Sequence, residues 1–201
     1  MIYLIGGPPR VGKTTLVEYL VRNHPMHAVS TDAIRYMLRR SVPKEALNPD
    51  IFIHFGQDVM TLWDQDHEQT IIEQNRQSEA LWPAMTEFIH SYTEDGIDLV
   101  VEGVAVLPEF VAGLDVPHKA IFLGNTSDTH GEYIRKMARE NENDWMHDHG
   151  DAEITKAAEF FALFSGSIRT ESEQHGLRYV EVADESFHDS LQAAAAYLLA
   201  D

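Results

Sequence analysis

The segment Gly7-Pro8-Pro9-Arg10-Val11-Gly12-Lys13-Thr14 fits the pattern G-x-x-x-x-G-K-[ST]. It follows the apolar run Ile2-Tyr3-Leu4-Ile5 directly and leads into the helical pattern Thr15-Leu16-Val17-Glu18-Tyr19-Leu20. A buried strand, a glycine-bounded loop and a helix start together make a phosphate site. In that context several backbone N–H groups point into one concavity at the positive end of a helix dipole. Lys13 is then expected to reach the outer phosphates of a nucleoside triphosphate, and the Thr14 hydroxyl to ligate Mg²⁺. Pro8 and Pro9 have no N–H to give, so the donors are expected from the second half of the loop, Arg10 through Thr15. Gly7, Arg10, Val11, Gly12, Lys13, Thr14 and Thr15 are therefore the candidate nucleotide-binding residues.

Four more β-rich runs alternate with helical patterns: His27–Ser30, Ile97–Val101, Lys119–Leu123 and Leu177–Val182. Most are too apolar to face water on either side, which predicts an α/β fold with a parallel five-stranded sheet flanked by helices. The connections are uneven. More than sixty residues separate the second and third strands, with helices expected near Asp32–Arg40, Pro49–Asp64 and Asp66–Tyr92, the last broken or kinked at Trp82-Pro83. A second helical excursion runs from Asp128 to about Gln174, and a closing helix from about Ser186 to Leu199. Insertions at strand C-termini are where α/β folds build substrate sites. The chain of 201 residues is expected to be a single domain. Its inserted region at about 41–95 would bind an acceptor, and a lid would lie at about 126–150.

Charge bounds the partners. A formal net charge of −18 argues against nucleic acid and anionic membrane. A triphosphate ligand is reconciled with it by position, since eight of the fifteen Lys and Arg residues fall in three short segments: Arg10 and Lys13; Arg35, Arg39 and Arg40; Arg135, Lys136 and Arg139. An acidic shell around a basic cleft focuses the field on an anion. No cysteine is present, which removes thiolate metal sites and disulfides. With no basic segment before the first strand and no long apolar run, a cytoplasmic protein is the expectation.

Three further constellations carry chemistry. Ser30-Thr31-Asp32-Ala33-Ile34-Arg35 closes the second strand on the same sheet edge as the phosphate loop. Asp32 can there accept the proton of an attacking hydroxyl, and Arg35 can clamp an anionic acceptor; capping a helix is the alternative use of Thr31 or Asp32. Val101-Glu102-Gly103 ends the third strand with an acid placed to organise metal-bound water or the acceptor, beside a glycine that permits close backbone approach. Arg135 and Arg139, spaced i and i+4, share one helix face and suit a lid that brings cations to a migrating phosphoryl group. The alternative is a solvated face paired to Glu132, Glu140 and Glu142. His147 and His149 lie in one short loop with no third ligand identifiable. Trp63, Trp82 and Trp145 can either line an acceptor pocket or pack the inserted helices.

The stretches Leu4 through Thr15, Ser30 through Arg35 and Val101 through Pro108 give the chain its family likeness. It resembles the P-loop kinases of small molecules, in the nucleoside-kinase-like branch, and most of all 2-phosphoglycerate-kinase-like proteins. Similar proteins include zeta toxins and chloramphenicol phosphotransferases, in which an acid after the second strand is the catalytic base. The resemblance implies ATP as co-substrate with Mg²⁺, Asp32 as base, Arg35 as acceptor contact, and Arg135 and Arg139 in the general position of lid arginines. The inserted helices from Ser41 to Tyr92 and the acidic run Glu140 through Asp151 match no pattern of these families. The resulting expectation is an ATP- and Mg²⁺-dependent phosphotransferase acting on a small-molecule hydroxyl, as monomer or homodimer. A nucleoside monophosphate kinase and a regulatory nucleotide-binding protein are the alternatives.

Overall fold

The computed structural model describes residues 1–54, 57 and 62–200. Five strands form one parallel sheet: β1 (Ile2–Gly6), β2 (His27–Ser30), β3 (Leu99–Gly103), β4 (His118–Gly124) and β5 (Arg178–Glu181), in the order β2-β3-β1-β4-β5. Burial follows that order. Every residue of central β1 is buried, whereas the edge strands β2 and β5 contain no fully buried residue. This is why Ile2–Ile5 is continuously apolar and the edges are not.

Strand alternation divides the core in two. Tyr3, Ile5, Val100, Ile121 and Leu123 point to one face, covered by α1 (Lys13–Asn23) and the C-terminal α7 (Phe187–Leu199). Ile2, Leu4, Leu99, Val101, Ala120 and Phe122 point to the other. That second face packs against α3 (His67–Glu94), α5 (His130–Glu140) and α6 (Asp151–Gln174). The short α2 (Thr31–Ser41) and α4 (Pro108–Ala112) follow β2 and β3. None of the described helices is long and apolar enough to cross a membrane.

The insertion departs from expectation in detail. The chain forms 3₁₀ turns at Lys44–Ala46 and Pro49–Phe52, the second capped by Asn48. Of the helix expected over 49–64, residues 55, 56 and 58–61 lie outside the described residues. α3 runs unbroken through Pro83. Proline removes one hydrogen bond and crowds the preceding turn, but Leu81, Met85 and Ile89 are buried on either side of it, and that packing holds the helix together.

Register aligns the strand ends. Gly6 sits opposite Gly103, and both Ile5 and Ser30 sit opposite Glu102. The approach is close at Gly103, where φ is 149° and an added Cβ would lie 2.0 Å from Thr31 Oγ1. Thr31 is itself buried and has nowhere to retreat. Gly103→Ala is expected to cost about 2–4 kcal/mol from strain and overpacking together, read as a lower midpoint in urea denaturation.

Candidate active site

At the C-terminal edge of the sheet the loop Gly7–Gly12 turns from β1 into α1. Gly12 is the helix N-cap in the left-handed region, at φ 87°, and an added Cβ there would lie 2.9 Å from the Phe187 ring. The Val11 side chain is buried in the core under α1, which anchors the loop. Lys13 opens the helix and is only 8% exposed, with Nζ donating to the Pro8 carbonyl at 2.6 Å. The proline pair thus supplies an acceptor where it has no donor to give.

Acids surround this ammonium because of strand parity. Glu102 shares the face of Val100, toward α1, and so comes beside Lys13. Burial lowers the Lys13 pKa to about 8, against the opposing pull of Glu102 and Asp32. Burial likewise pushes the Glu102 carboxyl up, Lys13 draws it down, and Asp32 adds to the rise. A free site with Lys13 near 8 must take up a proton to hold a polyphosphate above that pH. Affinity for Mg-ATP is therefore expected to weaken as pH rises past about 8, by up to tenfold per unit, as titration calorimetry in buffers of different ionisation heat would show.

Asp32 stands in the first turn of α2 but does not cap it. Ser30 does, accepting from the Ala33 N–H at 3.1 Å. The capping alternative is thereby assigned to Ser30, and Asp32 accepts from Arg35 Nη2 at 2.7 Å. Lys13, Thr14, Thr15, Arg10, Asp32 and Glu102 all line one cavity of about 490 Å³. Arg35 does not line it and meets it only through Asp32.

The structure does not bring Arg135 and Arg139 to this cavity. They share a face of α5, as their spacing requires, but that face turns toward the start of α6. Arg135 donates to Thr155 Oγ1 at 3.1 Å, and Arg139 to the carbonyls of His147 and His149 and to Asp151 Oδ1 at 3.2 Å. Loop carbonyls and the Asp151 carboxylate at the start of α6 give a guanidinium fixed acceptors that an open cleft does not. His147 and His149 are likewise engaged locally, with the Ala138 carbonyl and Glu153. Among the described residues no three His, Cys, Asp or Glu side chains gather as a metal site. Hard oxygens at Thr14, Asp32 and Glu102 in one cavity do suit Mg²⁺, which binds through few protein groups plus phosphate and water.

Other residues line the cavity that the motifs did not indicate. Tyr133 of α5 and Phe187 of α7 line it with rings 5.9 Å apart, and Phe187 lies against Gly12. Asn141, Asp144 and Trp145 come from the segment between α5 and α6. Of the three tryptophans only Trp145 lines it; Trp63 is buried in the core, and Trp82 stacks on Phe110 at 5.3 Å. The acidic run was the one available signal for Asp144, and nothing local marked Tyr133 or Phe187.

This parallel sheet, with its glycine-bounded loop, buried lysine and acids on the neighbouring strand ends, defines a P-loop protein of the kinase type. The chain belongs to the AAA domain family, whose model matches residues 2–164. Over 115 residues, 55% of its length, it is 28% identical to 2-phosphoglycerate kinase of Pyrococcus horikoshii, covering 37% of that protein. It is also 28% identical over 115 residues to mevalonate-3-phosphate 5-kinase of Thermoplasma acidophilum, covering 54% of it. The chain thus spans about half or less of these curated relatives. Its fold is similar to that of shikimate kinase from Bacteroides thetaiotaomicron, with a TM-score of 0.51 at 14% identity over 96% of both chains.

Proposed function

We propose that the protein is an ATP- and Mg²⁺-dependent phosphotransferase that moves the γ-phosphoryl group to a hydroxyl of a small molecule. The observation that carries this reading is the convergence of Lys13, Thr14, Asp32 and Glu102 on one cavity at the sheet edge. Loop amides from Arg10 through Thr15 and the Lys13 ammonium hold the β- and γ-phosphates, and Tyr133 and Phe187 offer aromatic faces to the base. Thr14, with Glu102 through water, would hold Mg²⁺, which neutralises charge on the phosphates. Asp32 orients the acceptor hydroxyl and takes its proton as the new O–P bond forms and the bond to the β-phosphate oxygen breaks, releasing ADP. Most of the rate comes from positioning and fixed charge, as the loose transition state of this reaction demands.

In the same reading the chain is one kinase domain. Residues 41–95 form its acceptor half and residues 126–150 its lid. Arg35 reaches the acceptor by way of Asp32. Arg135 and Arg139 must exchange their present partners before they can neutralise the migrating group, so in the conformation described they shape the lid. The curated relatives, both named for kinases of small phosphorylated acids, support a metabolite acceptor. Incubation with Mg-ATP and a pool of metabolites should yield one species heavier by a phosphoryl group in mass spectrometry. Tight ATP binding with no labelled metabolite would favour a regulatory protein, and labelling confined to nucleoside monophosphates a nucleotide kinase.

A further inference from the structure

Arg10 is set apart within the phosphate loop. Among the described residues it alone of the non-glycines has a positive φ, 70°, a conformation that a side chain with a Cβ adopts at a cost. Its guanidinium is already engaged. Nη1 donates to Asp144 Oδ2 at 2.7 Å, Nη2 donates to Asp144 Oδ1, and Nε lies 3.4 Å from Met146 Sδ. The guanidinium carbon stands 5.3 Å from the centre of the Trp145 ring.

Asp144 is equally committed. Its side chain is 8% exposed, and the Met146 N–H donates to it at 2.8 Å. Burial alone would raise its carboxyl pKa, but Arg10 and the Met146 N–H outweigh that and hold it below the ordinary range. The segment between α5 and α6 is thus fastened to the phosphate loop by one two-pronged ion pair, and both partners line the cavity. The rest of the strap is tied from behind by Arg139 to residues 147–151.

We propose that Asp144 gates the phosphate site: its carboxylate occupies Arg10 where a polyphosphate would bind, and the strap must release before nucleotide is held. This rests on reading the cavity as a polyphosphate site. A carboxylate and a phosphate demand the same two parallel N–H donors of a guanidinium, so they compete for one fork. A third acid in a cavity that already carries Asp32 and Glu102 also opposes an incoming polyanion. Apparent affinity falls by the fraction of molecules in which the clasp is open. The acidic run that matched no family pattern thereby acquires a use.

The test is calorimetric titration of the whole chain with Mg-ATP and, separately, with inorganic tripolyphosphate. Wild type, Lys13→Met, Asp144→Asn, Arg10→Ala and the Arg10→Ala/Asp144→Asn double variant are compared after thermal melting has shown that each folds. Asp144→Asn should bind both probes about tenfold tighter, and the gain should vanish in the Arg10→Ala background. Unchanged or weaker binding by Asp144→Asn, with wild-type binding still dependent on Lys13, overturns the gate and leaves the phosphate site standing. Binding of neither probe by any variant overturns both. Should Asp144→Asn fail to fold, the wild type decides through Trp145 emission, taken as the difference from Trp145→Phe. It should shift when tripolyphosphate binds, and bound ligand with an unchanged spectrum refutes strap release.

Discussion

Lys13→Met is expected to lower phosphoryl transfer by about a hundredfold to a thousandfold while leaving the protein at least as stable as the wild type. The two effects have one cause. The ammonium is buried with a single hydrogen-bond acceptor, the Pro8 carbonyl, and burial draws its pKa from 10.5 to about 8. A base whose folded pKa lies below its unfolded value binds its proton less well in the native state. Its charge therefore opposes folding below pH 8, and the penalty is relieved as pH climbs from about 8 to 10.5. Removing it at pH 7 should return up to about 3 kcal/mol, less whatever Glu102 loses with its neighbour. Thermal melts across pH 7–11 test this: the wild type should gain stability above pH 8 relative to Lys13→Met. A Lys13→Met protein that melts well below the wild type at pH 7 would mean that the ammonium is structural rather than held ready for an anion.

That arrangement also explains what the sequence could and could not disclose. All five strands are legible because each is a short β-rich run bounded by turn residues, and the three inner ones are also mostly apolar. The third was read two residues early because Ile97 is apolar; it is in fact 37% exposed, and Asp98 pairs with the chain's own amino terminus instead of entering the strand. The phosphate loop was readable because its chemistry is local, with the glycines, the lysine and the helix start contiguous. Asp32 and Glu102 were readable because a parallel sheet brings strand C-termini to one edge whatever lies between them. Pro83 misled because propensity is local, whereas the packing of Leu81, Met85 and Ile89 is tertiary. Arg135 and Arg139 share one helix face, as their spacing requires, but which way that face turns depends on Asp151 and on carbonyls that no periodicity reveals. Asp144 was furthest out of reach, since its partner lies 134 residues away and only the folded chain sets one against the other.

Asp32→Asn is expected to reduce kcat by about a hundredfold to ten-thousandfold with little change in nucleotide binding. Asn keeps the size of the side chain and one oxygen for Arg35, so the hydrogen bond now made at 2.7 Å can persist. Ser30, not Asp32, caps α2, so the helix start is untouched and the melting temperature should hold. What Asn cannot do is accept a proton from the acceptor hydroxyl. On the proposed mechanism Glu102 does not substitute, because it is half-buried beside Lys13 and offsets that charge. On the same proposal Glu102→Gln should act differently, weakening Mg-ATP binding together with turnover, since Glu102 would there support the metal and the lysine. Steady-state kinetics on both variants with the acceptor that mass spectrometry identifies would separate the two acids. If Asp32→Asn turned over at the wild-type rate while Glu102→Gln lost kcat alone, the base would be Glu102, and the proton would leave toward α1 instead of toward α2.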